Sequence, residues 1–181
     1  MEYTLGYGKG TVSVTLPERN VLDVLMPNDV AHDLVGEAEV RRALAHPIGS
    51  PKLRDIAKRG QKVAIVTSDI SRPMPSYVVL PPVLEELNAA GVPDEDITIV
   101  LALGSHRAHT EAEQRALVGD AVFERVRVID SDMNRCVQVG TTPDGTPVDM
   151  FEPVVEADLR VLLGNIEYHY FVGYSGGAKA L

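Results

Sequence analysis

Three short clusters of polar residues have the types and spacing to do chemistry. Ser68-Asp-Ile-Ser-Arg-Pro-Met-Pro75 presents the Asp69 carboxylate, the Ser71 hydroxyl and the Arg72 guanidinium close together, with prolines fixing the exit. Arg72 is suited to hold a carboxylate or phosphate through a forked pair, and Asp69 to orient it or to bond a ribose hydroxyl. The competing reading is an Asx-turn capped by Asp69, with Arg72 in an internal ion pair, and the segment alone does not choose between the two. Gly104-Ser-His-Arg107 carries an imidazole, the side chain whose ordinary pKa permits proton transfer in either direction at neutral pH. Its plainer reading is a histidine capping the end of a strand or the start of a helix. His109 follows too loosely for a metal pair and is expected to face solvent.

The third cluster is His169-Tyr-Phe-Val-Gly-Tyr-Ser-Gly-Gly-Ala-Lys179. The Ser175-Gly176-Gly177 turn lets backbone N–H groups approach an anion, and Lys179 adds either a point charge or a nucleophilic amine. The plainer reading is a packed aromatic-rich loop whose histidine bonds to backbone. The spacing is not that of the nucleoside-triphosphate loop G-x-x-x-x-G-K-[ST]. His32 and His46 have no strand edge to recommend them and receive no role.

These clusters need elements to position them. Val63-Ala-Ile-Val-Thr67 and Ile97-Thr-Ile-Val-Leu-Ala-Leu103 are compact apolar runs of the kind buried on both faces of a parallel sheet. Val126–Asp130 and Leu159–Leu163 repeat the pattern. Between the first two lies a helix over residues 76–90, closed by Gly91 and Pro93, which Pro81 and Pro82 are expected to kink or divide. Thr110-Glu-Ala-Glu113 reads as a capping box opening a helix that ends at Gly119. Shorter helices are expected over 35–45 and 52–59, and a hairpin from residues 136–139 to 147–150. The opening residues, alternating through Thr11-Val-Ser-Val-Thr-Leu16, predict an N-terminal β-hairpin.

Strands alternating with helices imply an α/β fold: a Rossmann-like, mostly parallel sheet flanked by helices, with the β-hairpin before it. Ligands in such sheets sit beyond the carboxyl ends of the strands. Asp69 and Arg72, then Ser105 and His106, then His169 and Lys179 all follow strands, so the three clusters are expected on one edge.

The 181 residues suit one α/β domain, and no linker or repeat divides them. A net charge of −9 argues against nucleic-acid or anionic-membrane binding, so any bound anion needs a local device. The single cysteine, Cys136, excludes an internal disulfide and favours a reducing, cytoplasmic setting. Neither a membrane-spanning run nor a signal-peptide layout is present, which leads to the same expectation.

Read in order, D-x-[ST]-R-P-x-P at Asp69–Pro75, G-[ST]-H-R at Gly104–Arg107 and H-x-x-x-G-Y-S-G-G-x-K at His169–Lys179 resemble the N-terminal domain of the nickel-dependent lactate racemase family. The resemblance implies an isomerase, a racemase or epimerase of 2-hydroxy acids. It implies a nickel pincer nucleotide, the pyridinium-3,5-bisthiocarboxylic acid mononucleotide of nickel, covalently attached to Lys179. His106 and His169 match the two family histidines that exchange the substrate hydroxyl proton, and Arg72 matches a substrate-binding arginine. Asp69, Ser71, Ser175, Gly176 and Gly177 would help hold the cofactor and its phosphate. The family's nickel-ligating histidine lies beyond the position of Leu181, so no metal ligand is expected within these residues. The chain is then expected to be the N-terminal domain of a longer two-domain protein, truncated or a fragment, whose missing C-terminal domain closes over the substrate. The reading from another class is a noncatalytic module that binds a nucleotide or a partner protein.

Overall fold

Residues alternate between two cores along the central strands. In the computed structural model, which describes residues 1–169 and 173–181, strands β3 (Val63–Ser68) and β4 (Ile97–Ala102) run parallel in the register Val63↔Ile97. Val63, Ile65, Ile97, Ile99 and Leu101 face one core, and Val66 and Val100 face the other. This is the period of two expected of a strand covered on both sides.

The elements in chain order are β1 (Glu2–Tyr7), β2 (Gly10–Thr15), α1 (Gly36–Ala45), α2 (Leu53–Ile56), β3, α3 (Ser76–Ala89), β4, α4 (Glu111–Val118), α5 (Asp120–Phe123), β5 (Arg127–Asp130), β6 (Cys136–Thr141), β7 (Pro147–Phe151), α6 (Glu152–Glu156), β8 (Leu159–Leu162), β9 (Tyr168–His169) and β10 (Gly173–Tyr174). The chain separates into two compact units, Met1–Asp33 and Leu34–Leu181. The first is built on the expected antiparallel hairpin, in which Leu5 pairs with Val12 and Tyr3 with Val14. The second carries a four-stranded parallel sheet of order β5-β4-β3-β8.

That order matters for function. Two successive crossovers carry the chain from β3 to β4 to β5 in one direction, and a third returns it to the far side of β3 as β8. The direction of winding therefore reverses at β3, which opens a crevice at the carboxyl ends of β3 and β8.

Helix α3 covers the first face. Leu80, Val83, Leu84 and Leu87 are buried in the core with Ile65 and Ile99. Of the two outcomes expected of Pro81 and Pro82, division does not occur: the helix runs unbroken through both. Each removes a helical N–H, yet Pro82 is itself buried amid that apolar stripe, and the packing outweighs the lost bonds. The second face is covered by Phe151 and Val154, from the end of β7 and from α6. Among the described residues, no helix is long and apolar enough to cross a membrane.

The capping box is formed as expected. The Glu113 N–H donates to Thr110 Oγ1 at 3.3 Å, and the Thr110 N–H donates to the Glu113 carboxylate at 2.8 Å. The Arg107 guanidinium, and after it the Thr110 N–H, hold the Glu113 carboxyl down at about 2, below its ordinary 4.5. A depressed carboxyl stabilises the fold above its unfolded pKa, and the contribution is lost as the pH falls through the folded one. Thr110→Ala should therefore lower stability by about 1 kcal/mol in thermal melts at neutral pH. Glu113→Gln should also melt earlier at neutral pH, and between pH 4.5 and 2 it should lose less stability than the wild type does. Parallel acid limbs for the two proteins would contradict this account.

Candidate active site

The site begins where β3 ends. Asp69 is 5% exposed, so its carboxylate has lost most of its water. Burial pushes the pKa up, but hydrogen bonds from Ser71 and His106 outweigh it and hold the carboxyl below its ordinary value. Ser71 Oγ donates to Oδ1 at 2.7 Å, and His106 Nδ1 lies 2.6 Å from Oδ2. The Arg72 N–H closes the turn onto the Asp69 carbonyl at 3.2 Å. Beneath it, the buried hydroxyls of Thr67 and Ser76 bond at 2.7 Å and tie the end of β3 to the start of α3.

His106 arrives from the neighbouring strand. Gly104 adopts φ +56°, a conformation that opens the turn after Leu103, and the His106 N–H donates to the Leu103 carbonyl at 3.0 Å. The Leu103 N–H is held in turn by Ser131 Oγ at 2.9 Å. Because Asp69 accepts at Nδ1, the neutral imidazole carries its proton there and leaves Nε2 as the basic nitrogen. The side chain is half exposed, so a ligand can reach it.

A cleft of about 410 Å³ opens at the carboxyl ends of the strands. Val66, Val100, Phe151 and Val154 form part of its wall, so its apolar lining is drawn from the second core. Its polar edge includes Asp69, Arg72, His106, the Ser175–Gly177 turn and Lys179, and also the carboxylates of Asp132, Asp149 and Glu167. The sequence expectation that strand-following clusters converge thus holds for the expected site residues on this edge. The volume lies within the range of small-molecule and cofactor sites.

The glycine loop is shaped by its own bonds. Ser175 Oγ accepts the Glu167 N–H at 3.1 Å, and the Ser175 N–H donates to the Glu167 carbonyl at 2.9 Å. Gly176 adopts φ +105°, and a Cβ there would lie 3.0 Å from Ile166 Cγ1, so only glycine lets the loop lie this close. The loop then turns into a short 3-10 segment, Gly177–Ala180, that carries Lys179. Among the described residues, neither Lys179 nor Arg72 has a carboxylate partner, so the internal ion pair considered for Arg72 is not formed.

Two expected site residues stand apart from the cleft wall. Ser71 acts on Asp69, and His169 lies at the end of β9, half-buried and paired with Gly173 of β10. Residues 170–172 of the third motif lie outside the described residues. His109 corrects the sequence reading. Its side chain is 1% exposed instead of facing solvent, with Nδ1 2.7 Å from Asp130 Oδ1 and Nε2 accepting the Ile70 N–H at 3.2 Å. Sequence reasoning also missed Asn165, which lines the cleft and whose buried Nδ2 has no partner among the described residues. It missed Phe151 and Val154 as well. The one available signal was positional: Asn165 follows β8 just as Asp69 follows β3.

Comparison with known proteins agrees with this fold. Lactate racemase from Thermoanaerobacterium thermosaccharolyticum is 33% identical over 180 residues, covering 97% of this chain and 42% of that protein. Lactate racemase from Lactiplantibacillus plantarum is 33% identical over 182 residues, covering 98% of this chain and 43% of the relative. The chain therefore spans about two-fifths of the length of these relatives. The structure of the lactate racemase apoprotein from T. thermosaccharolyticum superposes with a TM-score of 0.80 at 34% identity, over 98% of this chain and 42% of that one. A Thermotoga maritima protein shares the fold at a TM-score of 0.60 and 19% identity, over 82% of this chain and 38% of its own. Residues 7–181 match the family model described as the lactate racemase N-terminal domain, and the chain belongs to that family.

Proposed function

We propose that this chain supplies the proton-transferring and cofactor-anchoring part of a racemase or epimerase of 2-hydroxy acids. The observation that carries the reading is the Asp69–His106 pair, 2.6 Å apart at the rim of a cleft that also holds Arg72 and Lys179. An oriented imidazole beside two cations without carboxylate partners is a donor set for a hydroxy acid and for an anionic nucleotide.

The residues present fit a pincer nucleotide. Lys179 is exposed for covalent attachment, Gly177 has no atom within 4 Å of where its Cβ would stand, and the cleft offers an apolar wall together with the Arg72 and Lys179 cations. When bound, a nickel pincer nucleotide would supply a reversible acceptor for the hydride on C2 of the substrate.

The chain's own residues do the rest. Arg72 pairs with the substrate carboxylate and fixes its orientation. His106 Nε2 takes the hydroxyl proton as C2 becomes the planar carbon of a keto acid, and returning that proton restores the alcohol. Asp69 keeps the ring in the required tautomer and stabilises the imidazolium that forms, as a buried carboxylate does for a catalytic histidine. Inversion requires a second base on the opposite face, and His169 is assigned that role from its motif. The segment that follows β8 carries Asn165, Ser175 and Lys179, so it is suited to seat the nucleotide.

In the full-length protein produced with the enzymes that make the cofactor, intact-mass analysis should find an adduct on Lys179, and Lys179→Ala should abolish it. An unmodified, folded protein would remove the cofactor assignment. His106→Ala and His169→Ala should each slow racemisation by ~100- to 10,000-fold, the usual worth of a general base. Full activity in either variant would refute the two-base scheme. Ser71→Ala removes one of the two side-chain bonds that offset the burial of Asp69, so its carboxyl should titrate at higher pH. Because the Asp69 contribution to stability is lost as pH falls through its folded pKa, acid unfolding of this variant should begin at higher pH. Carbon-13 NMR of the carboxyl reads the shift directly, and an unmoved titration would show that the Ser71 bond has no such role.

A further inference from the structure

His109 and Asp130 form a buried pair for which the proton-transfer scheme has no use. His109 has a side chain 1% exposed, and its Nδ1 lies 2.7 Å from Asp130 Oδ1. The other carboxylate oxygen, Oδ2, accepts the His109 backbone N–H at 2.7 Å. The far ring nitrogen, Nε2, accepts the Ile70 N–H at 3.2 Å. A ring nitrogen that accepts a hydrogen bond carries no proton, so the Nδ1 proton must be the one donated to Asp130. The tautomer is therefore dictated from both ends.

Ile70 directly follows Asp69. Ile70 is 47% exposed, so its own packing does little to hold this turn. The backbone bond to His109 provides a tie from the Asp69–Arg72 turn across the sheet to Asp130, at the end of β5. We propose that His109, oriented by Asp130, is a positioning residue that holds the Asp69 turn in the place where Asp69 can direct His106. The inference rests on the function proposed above for its catalytic consequence, but not for its structural one.

An isosteric change separates the two. In Asp130→Asn, one of the two oxygens becomes an amide nitrogen. If the NH2 faces the His109 backbone N–H, two donors oppose each other there. If it faces Nδ1, the ring must carry its proton on Nε2 and oppose the Ile70 N–H. Either way one bond becomes a repulsion, at a cost expected of a buried donor left unsatisfied. His109→Gln is the conservative counterpart, since its Oε1 can still accept the Ile70 N–H.

The test uses the full-length protein labelled with 15N-histidine. In the wild type, both His106 and His109 should show the Nδ1-protonated tautomer. Folded Asp130→Asn should lose or markedly shift the His106 Nδ1 proton signal, although it touches neither His106 nor Asp69, and racemisation should fall at least ~10-fold, a factor equal to about 1.4 kcal/mol in the barrier. His109→Gln should keep the His106 signal and recover most of the rate. An unchanged His106 signal in folded Asp130→Asn overturns the proposal. So does a wild-type His109 protonated on Nε2, a measurement that decides the matter even if Asp130→Asn does not fold. If the wild type does not racemise hydroxy acids but Asp130→Asn still displaces the His106 signal, the positioning role stands and the proposed reaction falls.

Discussion

The Asp69 carboxylate is a charge withdrawn from water at the end of the central strand, and its neighbours are arranged around that fact. Removing a carboxylate from solvent is costly unless its lone pairs are met. Here Ser71 meets one oxygen and His106 the other, and their bonds more than offset the burial. The same bonds that keep Asp69 ionised fix the imidazole tautomer. Structure and chemistry are thus one constraint: the carboxylate is tolerated in its place because it is bonded, and the bonds are what prepare the histidine.

The strand order brings the remaining groups to that carboxylate. Because β3 lies between β4 and β8, the turn after β4 delivers His106 from one side and the segment after β8 delivers the Ser175–Lys179 loop from the other. The second core sits below, with Val66 and Val100 from the sheet meeting Phe151 and Val154. A floor made of packed core does not yield readily when a ligand settles on it, which is what a site needs if its polar rim is to stay aimed.

Much of this was legible because it is local. The strands β3 and β4 announce themselves as apolar runs covered on both faces, and the capping box at Thr110 and Glu113 is a contact between residues close in sequence. Asp69, His106 and Lys179 could be recognised by following a strand. What could not be read depends on distant partners. Nothing near Pro81 and Pro82 reveals how fully α3 is buried, and that burial is why the helix survives them. His109 reads as solvent-facing because its partners, Asp130 and the Ile70 N–H, lie far away in sequence. Phe151 and Val154 carry no chemical signature at all, since their part in the cleft is set by where the chain returns to the sheet.

The two cations at the cleft stand out in a chain of net charge −9. Arginines elsewhere in the Leu34–Leu181 unit, such as Arg41, Arg54, Arg107, Arg115 and Arg125, are matched by carboxylates. Exposed pairs of that kind contribute little to stability, but they do cancel the local field. Arg72 and Lys179 have no such match among the described residues, and both border the same cleft. Asp132, Asp149 and Glu167 also line the cleft, so an anion there would be held by direct pairing with Arg72 or Lys179 and not by the summed field of the protein. A negative protein can therefore hold an anion without general affinity for polyanions. What marks the cleft is that Arg72 and Lys179, at a single place, lack a carboxylate partner among the described residues.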